Sequence, residues 1–130
     1  MPKVWCAGVL VADVLVRPLK DMPVKGRSTF VDNVEVHIGG CAIVTAIAFQ
    51  KLGIDAGIMG GVGRDVFGDF VRGQVRAFGV DDRGLKVYPD MGTGTSIVLV
   101  DPEGERTFIA TLGANGVYSE RDIRLTVRCQ

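Results

Sequence analysis

The chain has 130 residues, 47% apolar and 23% charged, with 15 lysines and arginines against 15 aspartates and glutamates. That composition fits one ordinary globular domain and excludes a disordered segment. The balanced charge supplies no field to draw in nucleic acid or an acidic membrane surface, and no apolar run approaches the roughly 20 residues of a membrane helix.

The stretch VWCAGVLVADVLV is preceded only by Lys3 and interrupted by Asp13, so it reads as a buried strand rather than a leader. Within it, Val4 to Val11 is nearly all apolar, the pattern of a parallel strand covered on both faces, with Asp13 just beyond its end. Residues 14–38 mix apolar and polar positions around Pro18, Pro23 and Gly26. There STFVDNVEVHI alternates loosely and predicts short, half-exposed strands.

Ala42 to Leu52 places Ile43, Ala46, Ile47 and Phe49 at helical spacing and stops at Gly53, a mostly covered helix. IDAGIMGGVG reads as a short strand. Asp65 is placed to cap a second helix, VFGDFVRGQVRAF, which ends at Gly79. LKVYP reads as a further strand. TGTSIVLVDPEGERTFIATLG is a hairpin about the turn Asp101-Pro102-Glu103-Gly104. Ser119 and Asp122 have capping-box spacing for a helix that would run into the end of the chain, the pattern of a polypeptide cut short. This order predicts an α/β core with a small sheet standing off it. In such cores ligands sit beyond the carboxyl ends of the strands, where Asp13 and Gly39 to Cys41 fall.

Asp13 can accept hydrogen bonds from adjacent hydroxyls of a polyol, or serve as a turn or cap aspartate. Gly39 and Gly40, at the mouth of the first helix, either expose backbone N–H groups to a ligand or satisfy a turn that needs positive φ. GGVGRDVFG lacks the third glycine of a dinucleotide fingerprint and the lysine of a P-loop, so it reads as a structural turn. Cys41 stands near a helix start with no partner base in view. His37 reads as a half-exposed strand residue, Arg106 as a solvated strand cation or a cover over a ligand, and Trp5 as core. The three cysteines (Cys6, Cys41 and Cys129) and the single histidine form no metal-ligand spacing and suit a reducing cytoplasm.

Taken in order, these pieces resemble the ribokinase (PfkB-type) carbohydrate kinases from Lys3 to about Ile123. Gly8 and Asp13 are similar to the family's opening strand, and IGGCAIVTAIAFQKLG to its glycine pair and substrate-side helix. GGVGRDVFGDF is similar to its Val-Gly-x-Asp-x-Phe-Gly loop, and TGTSIVLVDPEGERTF with the following GAN to its lid hairpin.

The resemblance implies a partial three-layer ribokinase-like α/β core with a β-sheet lid. It implies a single truncated domain, with core about 3–13 and 39–90 and lid strands about 14–38 and 93–112. It implies that Asp13, Gly39 and Gly40 hold sugar hydroxyls, with Cys41 and Val44 beside them and Ser96 and Val98 on one face of the lid. Val44 stands where the family usually has asparagine, and Cys41 where members close to ribokinase have lysine, so ribose is not implied as the substrate.

The family's catalytic aspartate lies in a Gly-Ala-Gly-Asp motif that does not occur in these residues. The resemblance therefore implies no catalytic, nucleotide-binding or metal-binding residue here. ATP and magnesium would serve the complete enzyme, which phosphorylates a hydroxymethyl group of a sugar or nucleoside. A homodimer through the lid is implied, with no nucleic-acid or membrane partner. The alternative is a stand-alone, non-catalytic sugar-binding or regulatory module.

Overall fold

A computed structural model describes residues 2–123. In chain order the elements are β1 (Val4–Ala7), β2 (Val11–Arg17), β3 (Asn33–Gly39), α1 (Cys41–Lys51), β4 (Ala56–Gly63), α2 (Val66–Ala77), β5 (Asp81–Tyr88), β6 (Thr95–Val100) and β7 (Arg106–Thr111). Two short 3-10 turns follow, at Gly113–Gly116 and Glu120–Asp122. The architecture is mixed α/β with two sheets.

One sheet is parallel, in the order β1-β4-β5. Register puts Cys6 beside Ile58 and Val87 beside Val62 on the same face. Those residues form the core with Ile43, Ala46 and Ile47 of α1 and Val71 and Val75 of α2. Each large side chain fully buried there contributes about 1.5–3 kcal/mol. On the opposite face the ring of Trp5 lies over Gly57, and Tyr88 over Gly61, where a Cβ would collide with the rings. Trp5 is thus half-buried on the face away from the helices, rather than part of the main core.

Asp65 caps α2 by accepting from the Gly68 N–H at 2.7 Å. It also accepts from the Thr93 N–H at 2.9 Å and the Thr93 hydroxyl at 2.6 Å, while the Gly63 N–H donates to that hydroxyl at 2.9 Å. The loop entering β6 is thereby fastened to the end of β4.

The second sheet runs β3-β2-β6-β7, with β2 and β6 parallel and the outer pairs antiparallel. The hairpin forms as expected, its turn held by Asp101 Oδ1, which accepts from the Glu103 and Glu105 N–H groups.

Three further expectations are corrected. The strand foreseen over Val4 to Val11 ends at Ala7, because Gly8 takes φ 149° and Leu10 leaves the sheet. The Leu10 N–H and C=O both bind the Asn115 side chain, at 3.1 and 2.8 Å, and so cannot join a ladder. Asp13 consequently lies inside β2, in the second sheet. Residues 28–32 form no strand, and Phe30 is exposed. Helix α1 is covered on one face only, leaving Val44, Thr45 and Ala48 exposed. The capping box at Ser119 and Asp122 is present, but the helix expected to follow lies outside the described residues.

Candidate substrate-binding site

The site is built where β3 turns into α1 against β2. Antiparallel register sets Asp13 directly opposite His37, and the parallel neighbour of Asp13 on its other side is Ser96. Alternation then aligns Asp13, Leu15 and Arg17 with His37 and Glu35, and with Ser96, Val98 and Phe108, on one face of the sheet.

Gly39 is buried beneath the Asp13 carboxyl group. A Cβ on Gly39 would lie 2.9 Å from Asp13 Cγ and closer still to Oδ2, and the three nearest atoms outside its chain neighbours all belong to Asp13. Gly40 has a separate reason to be glycine. Its φ is 105°, and a Cβ there would lie 2.8 Å from the Val9 carbonyl carbon. It begins α1 with no side-chain cap and no acid in the first turn, which leaves the first N–H groups available. Cys41 and Val44 are both exposed in that first turn, and Val44 is 55% exposed. Ser96 and Val98 are buried, at 8% and 2%, so Val98 offers almost no surface to a ligand.

Burial pushes the Asp13 carboxyl group above the usual carboxylate range. The charges of Arg106 and His37 act through space in the opposite direction, and no hydrogen bond contributes. A half-buried carboxylate whose acceptor sites are unused is suited to hydroxyl groups. Nearby, Glu35 accepts from the Arg17 guanidinium at 2.9 Å and pairs with His37 Nε2 at 2.8 Å. The hydrogen bonds of His37 and then Arg17 hold the Glu35 carboxyl below its ordinary value.

Phe108, 59% exposed, and His37 are on this face although sequence reasoning did not place them there. The signal that would have found both is strand register, which a single sequence does not print. Among the described residues, no three His, Cys, Asp or Glu side chains stand together as metal ligands. No helix there is long and apolar enough to cross a membrane.

Residues 1–127 match the pfkB family carbohydrate kinases. The chain belongs to this family. It is similar to the uncharacterized sugar kinase YegV of Escherichia coli (strain K12), 30% identical over 125 residues, 95% of this chain and 38% of that protein. It is also similar to the ATP-dependent ribose-1-phosphate kinase of Halopiger xanaduensis, 32% identical over 117 residues, 90% of this chain and 38% of that protein. Among solved structures it resembles an E. coli protein described as Ribokinase II in complex with ATP and Mg2+, with TM-score 0.79 and 26% identity, covering 95% of this chain and 39% of that one. The chain therefore spans well under half the length of these family members.

Proposed function

We propose that this chain is the amino-terminal, sugar-binding part of an ATP-dependent carbohydrate or nucleoside kinase. Asp13 accepts the ligand's hydroxyls, and the N–H groups at Gly39 and Gly40 contact it from the helix mouth. Cys41 and Val44 form the adjoining wall, and Ser96 the second-sheet side, while Val98 shares that face but is almost wholly buried. The observation that carries this reading is the Asp13 carboxylate, half-buried over Gly39 with no hydrogen bond holding it.

In the complete enzyme, ATP and magnesium supply the phosphoryl group and its charge neutralisation. The general base, the anion-stabilising amides and the nucleotide site belong to sequence outside these 130 residues. The part we assign to this chain is to hold and orient the hydroxymethyl group. The β2-β3 and β6-β7 strands act as a lid over the core built on β1, β4 and β5 with the two helices. The enzyme works in the cytoplasm on a small molecule, and the second sheet's outer face, with exposed Val34, Val36, Ile97 and Ile109, pairs with a second copy.

Calorimetry with D-ribose, D-fructose and adenosine tests the site. Asp13→Asn is expected to weaken binding by roughly 1–3 kcal/mol, the scale of hydrogen bonds to charged groups. Unchanged affinity in a folded variant removes Asp13 from the site. Sugar-dependent transfer of label from ATP by the 130-residue chain, lost on Asp13→Ala, would overturn the division of labour.

A further inference from the structure

We propose that His37 is a second ligand-binding residue, acting with Asp13 as one hydroxyl-binding pair whose affinity is set by the protonation of the imidazole. This rests on the reading of Asp13 given above and assigns its neighbour a role. The two residues are direct cross-strand partners in β2 and β3, so both side chains project from the same face. The His37 side chain is 56% exposed and therefore accessible.

The orientation of the ring is fixed from behind. Glu35 is held by Arg17 at 2.9 Å and by the Asn33 amide, and its Oε2 meets His37 Nε2 at 2.8 Å. An ionised carboxylate only accepts, so Nε2 must carry the proton in this contact. In the neutral ring Nδ1 is then an acceptor, left for the ligand on the face it shares with the unused acceptor sites of Asp13. A polyol with two adjacent hydroxyls can donate one to Asp13 and one to Nδ1. The arrangement is that of a histidine whose working nitrogen is specified by the partner of the other.

Protonation reverses this. An imidazolium has no acceptor nitrogen, and beside Asp13 it pairs with the carboxylate and competes with the hydroxyl. The other charges on this face are Arg17, Glu35 and, at the far side of the sheet, Arg106, with the exposed Cys41 thiol at the start of α1. Arg17 is neutralised by Glu35, and besides Asp13, whose carboxyl pKa burial raises, the imidazole is the side-chain type on this face that commonly changes charge between pH 5 and 8.

His37 is the only histidine in the 130 residues, which makes the experiment direct. The imidazole resonances of the chain are followed by NMR from pH 4.5 to 9, alone and with D-ribose, D-fructose or adenosine as probes. Calorimetry is run at pH 5 and pH 8 on wild type, His37→Gln, His37→Asn, Glu35→Gln and Asp13→Asn.

Removing the negative charge of Asp13 or Glu35 is expected to move the His37 titration to lower pH. A bound probe is expected to shift the ring resonances, and affinity at pH 8 to exceed that at pH 5 by about fivefold or more in wild type. That pH dependence should fall in both His37 variants to the part contributed by Asp13 itself. Probe binding that depends on Asp13 but leaves the His37 ring unmoved, or keeps its pH profile in His37→Gln, overturns the role of His37 alone. An unshifted His37 titration in Asp13→Asn overturns the pairing. Failure of every probe to bind at pH 8 overturns the Asp13 reading and this proposal with it.

Discussion

Replacing Gly39 by alanine tests the geometry of the site without any ligand. In a strand, alanine is favoured over glycine by roughly 0.5–1 kcal/mol, because glycine loses more backbone freedom on folding. At Gly39 that gain meets an obstacle made by one side chain. The new methyl would sit 2.9 Å from Asp13 Cγ, with Oδ2 closer. The carboxyl group must rotate away, and an off-rotamer side chain costs about 0.5–1.5 kcal/mol. The two effects nearly cancel, so Gly39→Ala alone should be neutral or destabilising by up to about 1 kcal/mol. In an Asp13→Ala background the obstacle is gone, and the same change should stabilise by roughly 0.5–1 kcal/mol. The coupling in the double-mutant cycle is then about 1 kcal/mol, above the few tenths at which independent sites add. Urea unfolding of the four proteins measures it. Additivity within about 0.3 kcal/mol would show that the carboxylate does not lie over Gly39.

Gly40→Ala should be far more costly, about 2–5 kcal/mol, because positive φ and a clash with the Val9 backbone act together. Gly53→Ala, with φ 78° and open space around it, should lose only the strain of about 1–2 kcal/mol, so equal thermal shifts would refute the clash. Val44→Asn should change stability by no more than about 0.5 kcal/mol, since Val44 is exposed. If the amide reaches a bound polyol, calorimetry will show tighter binding. Lys86, then the Ser119 N–H and Tyr88, lower the Asp122 pKa to about 2. Because the folded-state value is depressed, this group stabilises the fold above the ordinary carboxylate range, and the contribution is lost as pH falls toward 2. Melting temperatures across pH 2–5 should fall less steeply in Lys86→Met.

Local chemistry made much of the fold legible. The helix of Val66–Ala77 has its cap at Asp65 and its stop at Gly79, and the hairpin has its Asp-Pro-Glu-Gly turn, because each signal acts over a few neighbouring residues. The break between β1 and β2 was not legible. Val4 to Val11 is uniformly apolar, and what ends the strand is partly an amide 105 residues away, Asn115, occupying both backbone groups of Leu10. The exposure of Val44 and Ala48 was hidden for a related reason. A helix with apolar residues on several sides does not say which side is covered. Register hid the neighbours of Asp13, since His37 becomes its partner only once β2 and β3 are paired.

The glycine pair shows how one motif can carry two unrelated demands. Both positions exclude a Cβ, and sequence alone reports only that shared requirement. The reasons differ in kind. Gly40 must turn the chain past the Val9 carbonyl, so its absence of a side chain serves the fold whether or not a ligand exists. Outside its chain neighbours, the atoms nearest a Cβ on Gly39 all belong to Asp13, so its absence of a side chain serves the placement of one carboxylate. A substitution at Gly40 should therefore be felt first in stability, and one at Gly39 first in binding. Their effects should separate in the same two assays, although the residues are adjacent. That separation is what a site superimposed on a turn requires, and it would not arise if Gly39-Gly40 were a turn alone.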